Sequence, residues 1–357
     1  MKLAIVSDAW HPQINGVVTT LSKTAETAQK LGSTVEVISA EGSPSFPCPT
    51  YPEIRLALRP GSLVRERLER FAPQMIHIAT EGPLGLAARR YCLKRKLPFT
   101  SSFHTQFPDY AKARWGVPAS WGYGFLRWFH RPAVRTLVGT QSVRANLLQQ
   151  GFSHLVPWSR GVDTDLFRPD PAARAQARER WPGPIMLYSG RVAVEKNLTA
   201  FLRLKMRGTK VIVGDGPARA DLQHEFPEAV FAGYRFGAEL AAHLAMADVF
   251  VFPSRTDTFG IVMLEAMACG VPVAAFPVQG PRDVVRQGIT GILNEDLAVA
   301  IEAALRLEPD GCRSFALMQS WERCTRQFLG HLAPIAPVAT ASRSGESAVP
   351  EQPAQAH

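Results

Sequence analysis

Cysteine is scarce in this chain of 357 residues, and the few cysteines are not spaced for a metal site. None of them forms a Cys-x-x-Cys pair, and their number is odd: Cys48, Cys92, Cys269, Cys312 and Cys324. Structural zinc sites use close pairs of ligands, and disulfide frameworks normally use an even number of cysteines. We therefore expect reduced and mostly buried cysteines, with neither a disulfide framework nor a zinc site.

Long apolar segments are also missing. No run approaches the roughly 18 residues that a membrane-spanning helix needs. The first apolar stretch, Leu3 to Val6, is far too short for the core of a signal peptide. These absences predict a protein that stays in the cytoplasm.

Acidic residues are few in the first part of the chain. The formal net charge is +9, and residues 1–160 alone carry +11, whereas residues 161–357 carry −2. Basic residues concentrate in two stretches, Arg55 to Arg70 and Lys112 to Arg135. The second stretch mixes aromatic and basic side chains, namely Trp115, Trp121, Tyr123, Phe125, Trp128 and Phe129 with Arg114, Arg127, His130 and Arg131.

The mixed stretch has three interpretations. Basic and aromatic side chains together suit an anionic bilayer surface, where each Lys or Arg contributes about 1 kcal/mol. Nucleic acid is a rival partner, but no nucleic-acid-binding motif accompanies the stretch. Ordinary helices with buried rings and solvated arginines are the third possibility.

Apolar runs and helical patterns alternate along the chain, which predicts an α/β fold with parallel, doubly wound sheets. The length suffices for two such domains. In the first part we expect strands at residues 2–7, 35–39, 75–79, 99–103, 136–139 and 155–157. In the second part we expect strands to begin at Ile185, Lys210, Val230, Val249 and Val273.

Two carboxylates stand eight positions apart near the C-terminal end. Asp257 precedes Phe259-Gly260, and Glu265 falls in the helical pattern that follows. The backbone N–H groups of Ile261 and Val262 would open that helix, and a helix N-terminus is an anion site. Carboxylates beside an anion site suit a ligand with hydroxyls and phosphate, such as a nucleotide-sugar. An ordinary turn with one acid near a helix end is the alternative.

Two cations follow an earlier strand of the same half. Arg191 and Lys196 lie after the expected strand at Ile185, and open α/β sheets bind ligands beyond the carboxyl ends of their strands. They could neutralise a leaving diphosphate, or they could form surface salt bridges. Asp215, between Gly214 and Gly216, could bind donor or simply cap the next helix.

Together these segments resemble glycosyltransferase family 4, which are retaining enzymes with the GT-B fold. The similarity rests on the two acids around Phe259-Gly260, on Gly190-Arg191 with Glu195-Lys196, and on Gly214 to Pro217. Segments 45–49, 102–105 and 161–167 are similar to the branch with sulfolipid synthases, phosphatidylinositol mannosyltransferases and GDP-mannose-dependent α-mannosyltransferases. One residue departs from the family pattern, because the first acid is Asp257 instead of glutamate.

The resemblance implies two Rossmann-like domains that face each other across a cleft. Residues 1–165 would form the acceptor domain and residues 166–312 the nucleotide-sugar domain. A helix over 313–332 would cross back to the first domain. From residue 333 to 357 Pro, Ala and Ser dominate, which predicts a disordered tail.

The resemblance also implies roles for single residues. Arg191, Lys196 and the N–H groups of Ile261 and Val262 would bind the diphosphate. Glu265 would accept from the ribose hydroxyls and Asp257 from the sugar hydroxyls. The complete donor set is Gly16, Arg191, Lys196, Asp215, Asp257, Phe259, Gly260, Ile261, Val262 and Glu265.

His104 and the metal question complete the implied site. His104 follows the expected strand at 99–103 and would contact the sugar from the opposite domain, as a catalytic residue with Asp257, Arg191 and Lys196. Asp163 and Asp165 have the Asp-x-Asp spacing of manganese-dependent transferases. They fall in the interdomain segment of a family that needs no metal, so we expect no metal and no other cofactor.

The acceptor interpretation follows from the basic first domain. We expect a hexosyl, and by resemblance a mannosyl, transfer to a membrane lipid at the cytoplasmic face, with Arg114, Trp121, Arg127, Trp128 and Arg131 at the bilayer. A soluble glycan acceptor is the alternative. A non-catalytic lipid-binding module is another, although the charged site residues argue against it. No Gly-x-Gly-x-x-Gly follows the first strand, which disfavours a nicotinamide-dependent oxidoreductase.

Overall fold

Two parallel β-sheets with helices packed against them form this protein. The structure is a computed structural model that describes residues 1–13, 15–48, 51–104 and 119–336. Each sheet has six strands. A separate antiparallel pair of strands belongs to the first half of the chain. The predicted α/β class with doubly wound parallel sheets is therefore confirmed.

The first sheet has the strand order β2-β1-β5-β6-β7-β8, and all neighbouring strands are parallel. The predicted strands of this half are confirmed to within a residue or two. A short antiparallel pair, not predicted, lies between β2 and β5 in sequence. The strands are β1 (Lys2–Val6), β2 (Thr34–Ile38), β3 (Ser45–Cys48), β4 (Tyr51–Ala57), β5 (Met75–Ile78), β6 (Thr100–Phe103), β7 (Arg135–Val138) and β8 (Leu155–Pro157).

The second sheet repeats this design with the order β11-β10-β9-β12-β13-β14, again with parallel neighbours. Its central strands are buried along their whole length, as expected where helices cover both faces of a parallel sheet. The edge strand β14 was not predicted. The strands are β9 (Ile185–Ser189), β10 (Thr209–Val213), β11 (Val230–Gly233), β12 (Val249–Phe252), β13 (Val273–Ala275) and β14 (Gly291–Leu293).

Five of the described helices begin with a side-chain cap. Asn15, Thr140, Asp170, Asp296 and Ser320 each accept hydrogen bonds from the first-turn N–H groups of the helix that follows. The described helices are α1 (Gly16–Lys30), α2 (Pro60–Phe71), α3 (Pro83–Arg95), α4 (Ala119–His130), α5 (Gln141–Gln149), α6 (Pro171–Arg180), α7 (Leu198–Leu202), α8 (Arg219–Glu225), α9 (Gly237–Ala245), α10 (Ile261–Ala268), α11 (Pro281–Val284), α12 (Leu297–Ala304), α13 (Pro309–Leu317) and α14 (Trp321–His331).

The C-terminal helix crosses back to the first sheet, but not as the single helix predicted over 313–332. The chain breaks between α13 and α14, because α13 packs on α10 in the second half whereas α14 packs on α1 in the first. Val162 donates its N–H to the carbonyl of Gln319 at this crossing. Cys324 and Phe328 of α14 are buried in one cluster with Leu3 and Ile5 of β1.

The chain is ordered at residue 333, where the disordered tail was predicted to begin. Ala333 is buried, Pro334 forms a β-bridge with Met75, and the N–H of Ile335 donates to the carbonyl of Gln74. Apolar contacts with the first domain therefore order the chain to residue 336. Residues 337–357 lie outside the described part.

The predictions about the cysteines and about membrane-spanning helices can be compared with the described residues. Four of the cysteines are unpaired and buried: Cys92, Cys269, Cys312 and Cys324. In the described ranges, no helix combines the length and apolar character that crossing a bilayer requires.

Candidate functional site

The sheet order brings two predicted site loops together. Strands β9 and β12 are adjacent, so the loops at their carboxyl ends lie side by side. Lys196 ends a 3₁₀ turn after β9, and its Nζ lies 2.6 Å from Oδ1 of Asp257 in the loop after β12. Asn197 strengthens the junction by donating from Nδ2 to the carbonyl of Pro253 over 3.1 Å. Two of the predicted site residues are therefore in direct contact.

The Lys196–Asp257 pair is largely shielded from solvent. Only 20% of the lysine side chain and 18% of the aspartate side chain are exposed. The second carboxylate oxygen of Asp257, Oδ2, is buried and has no hydrogen-bond partner among the described residues. A buried acceptor without a donor is costly in a folded protein, and a ligand hydroxyl would remove that cost.

Two glycines shape the start of α10 beside this pair. Gly260 has a φ of 81°, and a Cβ there would come within 2.9 Å of the Phe252 ring. Gly280, with a φ of 84°, lies against the loop, and a Cβ there would be 2.6 Å from the carbonyl oxygen of Asp257. No side chain caps α10. The N–H groups of Ile261 and Val262 therefore open the helix as predicted, at the end of the Asp257 loop.

Glu265 lies one turn further along α10. Its carboxyl group is partly buried and makes no hydrogen bond or ion pair with the described residues. Burial raises its pKa to about 7. The two carboxylates of the motif thus have different surroundings, since one is ion-paired and the other is not.

Arg191 and Asp215 belong to the same edge of the sheet. Arg191 follows β9 after Gly190 and is partly buried, and its carbonyl accepts from the hydroxyl of Tyr188 at 2.9 Å. Asp215 follows β10 and forms a 2.6 Å ion pair with Arg219. It does not cap α8, whose N-cap is Ala218, so the capping interpretation is wrong.

His104 lies opposite this edge, at the carboxyl end of β6 in the first domain. The hydroxyl of Thr258 donates to its carbonyl across the cleft at 2.7 Å. Nε2 of the ring is 2.8 Å from the hydroxyl of Ser102, and Nδ1 is 3.2 Å from the guanidinium of Arg160. Burial, and next the charge of Arg160, hold the pKa of His104 well below its usual range. A sugar contact through a ring nitrogen would replace one of these partners.

A second contact joins the two domains near His104. Ser142, in the first turn of α5, donates its backbone N–H to the carboxylate of Asp283 in α11 at 3.2 Å, and its hydroxyl donates to the same carboxylate. An acid at a helix N-terminus is favourable because the helix dipole and the free N–H groups attract it. The cleft is therefore bridged on two sides.

Two predicted residues of the first domain are not joined to these contacts. Gly16 is the exposed first residue of α1, next to Asn15, whose side chain caps that helix. Asp163, for which no metal role is expected, accepts from the N–H of Leu166, and its other carboxylate oxygen lies 3.9 Å from Nζ of Lys23 in α1. Within the described ranges, no three His, Cys, Asp or Glu side chains are grouped as a metal site. Independence from metal remains a prediction.

Four of the five predicted membrane residues lie on α4 or just after it. Trp121 and Trp128 are 76% and 50% exposed, whereas Tyr123 and Phe129 of the same helix are buried. The exposed set continues with Phe125, Arg127 and Arg131. A cavity of about 370 Å³ borders it, lined in part by Arg127, Trp128 and Arg131. Arg114 lies outside the described residues.

Sequence reasoning missed several residues that complete the arrangement. Arg160 directly precedes segment 161–167, which contributes to the family similarity, and Thr258 lies between Asp257 and Phe259. Ser142 and Asp283 carry no local signal, because they meet only through the packing of α5 against α11.

Comparisons with known proteins identify the family of this chain. Residues 14–166 match the family described as Glycosyltransferase Family 4, and residues 183–308 match the family described as Glycosyl transferases group 1. The chain is 33% identical over 319 residues to a GDP-mannose-dependent alpha-mannosyltransferase of Mycobacterium tuberculosis, covering 82% of this chain and 83% of the relative. A GDP-mannose-dependent alpha-(1-6)-phosphatidylinositol monomannoside mannosyltransferase of Mycolicibacterium smegmatis is 40% identical over 161 residues, 39% of this chain and 41% of the relative.

A solved structure supports the arrangement of the two sheets. Sucrose-phosphate synthase from Thermosynechococcus elongatus superposes with a TM-score of 0.76, covering 92% of this chain and 97% of that one. The sequence identity is 21%, so this likeness concerns the fold alone.

Proposed function

This chain belongs to glycosyltransferase family 4 and has the predicted GT-B fold, and from that premise we propose that it transfers mannose from GDP-mannose to a membrane lipid. Glycosyl transfer itself follows from the family. The choice of donor is supported by the relative that spans most of the chain, whose name specifies GDP-mannose. The lipid acceptor is supported by the relative named for phosphatidylinositol monomannoside.

The observation that carries the proposal is the carboxylate of Asp257. Lys196 occupies one oxygen at 2.6 Å, and the other is buried without a partner. A sugar hydroxyl entering the cleft would donate to that free oxygen and would repay its desolvation. Asp257 is one methylene shorter than the family's glutamate, so the sugar hydroxyl has to come closer to the loop.

The diphosphate is proposed to lie between Lys196, Arg191 and the start of α10. Negative charge builds on the leaving diphosphate as the glycosidic bond breaks. Fixed cations and helix N–H groups stabilise that charge without needing to reorganise. Lys196 already contacts Asp257, which would link the phosphate side of the donor to its sugar side.

Glu265 is proposed to accept hydrogen bonds from the ribose hydroxyls. Its carboxyl group makes no contact that would compete with a ligand among the described residues, and its pKa of about 7 reflects burial. Hydroxyl donors favour the ionised form of a carboxyl group, so donor binding is expected to lower this pKa.

Retention of configuration is the mechanism implied by family membership. In this scheme the acceptor hydroxyl attacks on the face that the diphosphate leaves, and a phosphate oxygen takes the proton. Asp257 is not proposed as a covalent nucleophile, because in this scheme the acceptor hydroxyl attacks the sugar directly. The contacts Thr258–His104 and Ser142–Asp283 favour a closed cleft, which would limit hydrolysis of the donor.

The lipid acceptor is supported by the surface of α4. Exposed tryptophans beside arginines match the composition of helices that lie in the membrane interface. The C-terminal residue of this helix, His130, is 2.8 Å from Ser101 of β6, the strand that leads to His104. A membrane contact at α4 would thus involve a helix that is hydrogen-bonded to β6, the strand that leads to the cleft. The location that follows is the inner face of the cell membrane.

A transfer assay tests the donor and the acceptor together. The purified chain would be incubated with radiolabelled GDP-mannose or UDP-glucose, and with phosphatidylinositol vesicles, diacylglycerol vesicles or soluble mannosides. We expect label from GDP-mannose to enter the chloroform-extractable fraction, in an α-linkage that α-mannosidase removes. Label only in soluble mannosides would replace the lipid acceptor with a soluble glycan, and transfer only from UDP-glucose would overturn the donor.

Flotation with vesicles tests the membrane contact by itself. Binding should increase with the anionic lipid fraction and decrease with salt, because surface charges are screened over about 8–10 Å at physiological ionic strength. Replacing Arg127 and Arg131 with glutamine should weaken flotation without changing donor affinity. The matched control replaces Arg207 and Arg306, two exposed arginines of the second domain. Equal loss in both variants, or none in either, would contradict a role for α4.

A further inference from the structure

Arg160 is a buried cation with no acidic partner among the described residues. It lies between β8 and the crossing into the second domain, and only 5% of the residue is exposed. Burial lowers its pKa to about 10, so the guanidinium is still charged at neutral pH. A charge kept in the interior without a counter-ion has a high desolvation cost, which must be offset by specific contacts.

The contacts of Arg160 converge on the cleft. Nη1 donates to the carbonyl of Trp158 at 2.6 Å and to that of Ser159 at 3.0 Å, and Nη2 donates to Nδ1 of His104 at 3.2 Å. The guanidinium also stacks on the ring of Trp158 at 4.5 Å. On its other side lies the ring of Phe259, 5.8 Å away in the loop that contains Asp257.

These contacts determine the tautomer of His104. A guanidinium can only donate hydrogen bonds, so Nδ1 of His104 must be the acceptor. The ring proton is therefore on Nε2, from which it can be donated to the hydroxyl of Ser102 at 2.8 Å. That hydroxyl also lies 3.1 Å from Nε2 of His77. The tautomer follows from the chemistry of arginine.

The surroundings also keep His104 neutral. Burial contributes most to the lowered pKa of His104, and the titratable or charged groups that act on the ring are Arg160, His77 on β5 and His130 at the end of α4. Each of them opposes a second proton on the ring when it is itself charged. A neutral ring suits a cleft in which the transferred sugar develops positive charge in an oxocarbenium-like transition state. A protonated imidazole there would repel that charge.

We propose that Arg160 is a positioning residue for glycosyl transfer. It holds His104 as the neutral Nε2–H tautomer and, through its contact with Phe259, fixes the imidazole ring of His104 relative to the Asp257 loop. The inference rests on the proposed function, since it assigns Arg160 to the same cleft. Arg160 itself acts through His104. A purely structural role, in which Arg160 only holds the carbonyls of Trp158 and Ser159, is the competing explanation.

Nitrogen NMR of histidine distinguishes these explanations without any substrate. The chain would be labelled with ¹⁵N only in histidine, and the His104 signals assigned from the His104→Gln variant. We expect a single Nε2–H tautomer in the wild type from pH 5 to pH 8. In Arg160→Met we expect a mixture of the two neutral tautomers, because Nδ1 loses the donor that makes it an acceptor. A wild-type spectrum in Arg160→Met would overturn the proposal.

Ser102→Ala is the matched variant, because it removes the other ring partner and leaves Arg160 in place. If Arg160 sets the tautomer, His104 should remain the Nε2–H form in Ser102→Ala. A change of tautomer there would assign control to Ser102 and overturn the proposal. This variant also keeps the test open if Arg160→Met does not fold, which thermal denaturation would reveal.

Kinetics then tests whether the tautomer matters for transfer. Arg160→Met should reduce kcat about 10- to 100-fold and change the donor KM by less than about threefold. In a His104→Gln background the same substitution should have almost no further effect. Independent, multiplicative losses would refute action through His104. If no nucleotide-sugar is turned over while the NMR results hold, the proposed function fails and the tautomer assignment stands.

Discussion

Replacing Lys196 with alanine should strongly reduce transfer while leaving the fold intact. In the structure Nζ of Lys196 lies 2.6 Å from Asp257, and the proposed diphosphate site lies at the same edge of the sheet. The substitution removes a fixed positive charge where negative charge develops. Losing one such contact typically costs about 2–4 kcal/mol of transition-state stabilisation, which corresponds to a roughly 30- to 900-fold lower kcat/KM.

The stability change in Lys196→Ala should be smaller and separable from the kinetic change. Asp257 would lose its only described ionic partner, and removing the partner of a half-buried charge costs about 1–3 kcal/mol. The variant Lys196→Ala/Asp257→Ala removes the stranded carboxylate as well. We therefore expect this double variant to recover part of the lost stability but none of the lost activity.

The assay measures kcat/KM with saturating acceptor, together with thermal denaturation of each variant. Lys205→Ala is the control, because Lys205 is exposed in the same domain. Wild-type kcat/KM in Lys196→Ala would exclude Lys196 from the site. If activity recovers with stability in the double variant, Lys196 serves only to neutralise Asp257, and the proposed phosphate contact is wrong.

Three further outcomes are expected. The pKa of Glu265 is raised to about 7, and ribose hydroxyls would lower it, so donor affinity should weaken as the pH falls below 7. Calorimetry should detect this pH dependence in the wild type and not in Glu265→Gln. Transfer should persist in excess EDTA, whereas a loss reversed by Mg²⁺ or Mn²⁺ would make Asp163 and Asp165 metal ligands. Asp283→Ala removes the contact to Ser142, so small-angle scattering should show a more open protein without ligand than the wild type. Identical scattering of the two proteins would contradict a role of this contact in closing the cleft.

The strands could be predicted because each one is a short apolar run with turn residues on either side. Ile185–Ser189 and Val249–Phe252 are buried on both faces, so their sequences are almost continuously apolar. The edge strand Gly291–Leu293 has three residues and forms only because β13 offers it a partner. The break between α13 and α14 also has a tertiary cause, since the two helices pack on different domains.

The candidate site was predictable where it is local in sequence. The motif around Gly260 and the loop of Lys196 each contain their own turn and helix start, and parallel strands bring such loops to one edge. Contacts between domains were not predictable in this way. His104 and Thr258 are separated by 154 positions, and Ser142 and Asp283 by 141. Neither hydrophobic periodicity nor motif spacing in a single sequence predicts such pairs, because the residues meet only when both sheets have formed.

The two acids of the motif illustrate what sequence alone leaves open. Asp257 and Glu265 stand in one segment and have the same chemistry, so spacing assigns neither role. The structure gives Asp257 a cation at 2.6 Å and a buried oxygen without a partner, whereas Glu265 has neither a cation nor a described hydrogen bond. The two carboxylates therefore differ in environment and not in chemistry. Asp257 is held beside a positive charge, whereas ligand hydroxyls are expected to favour the ionised form of Glu265. This difference supports opposite ends of the donor for the two groups, the sugar at Asp257 and the ribose at Glu265.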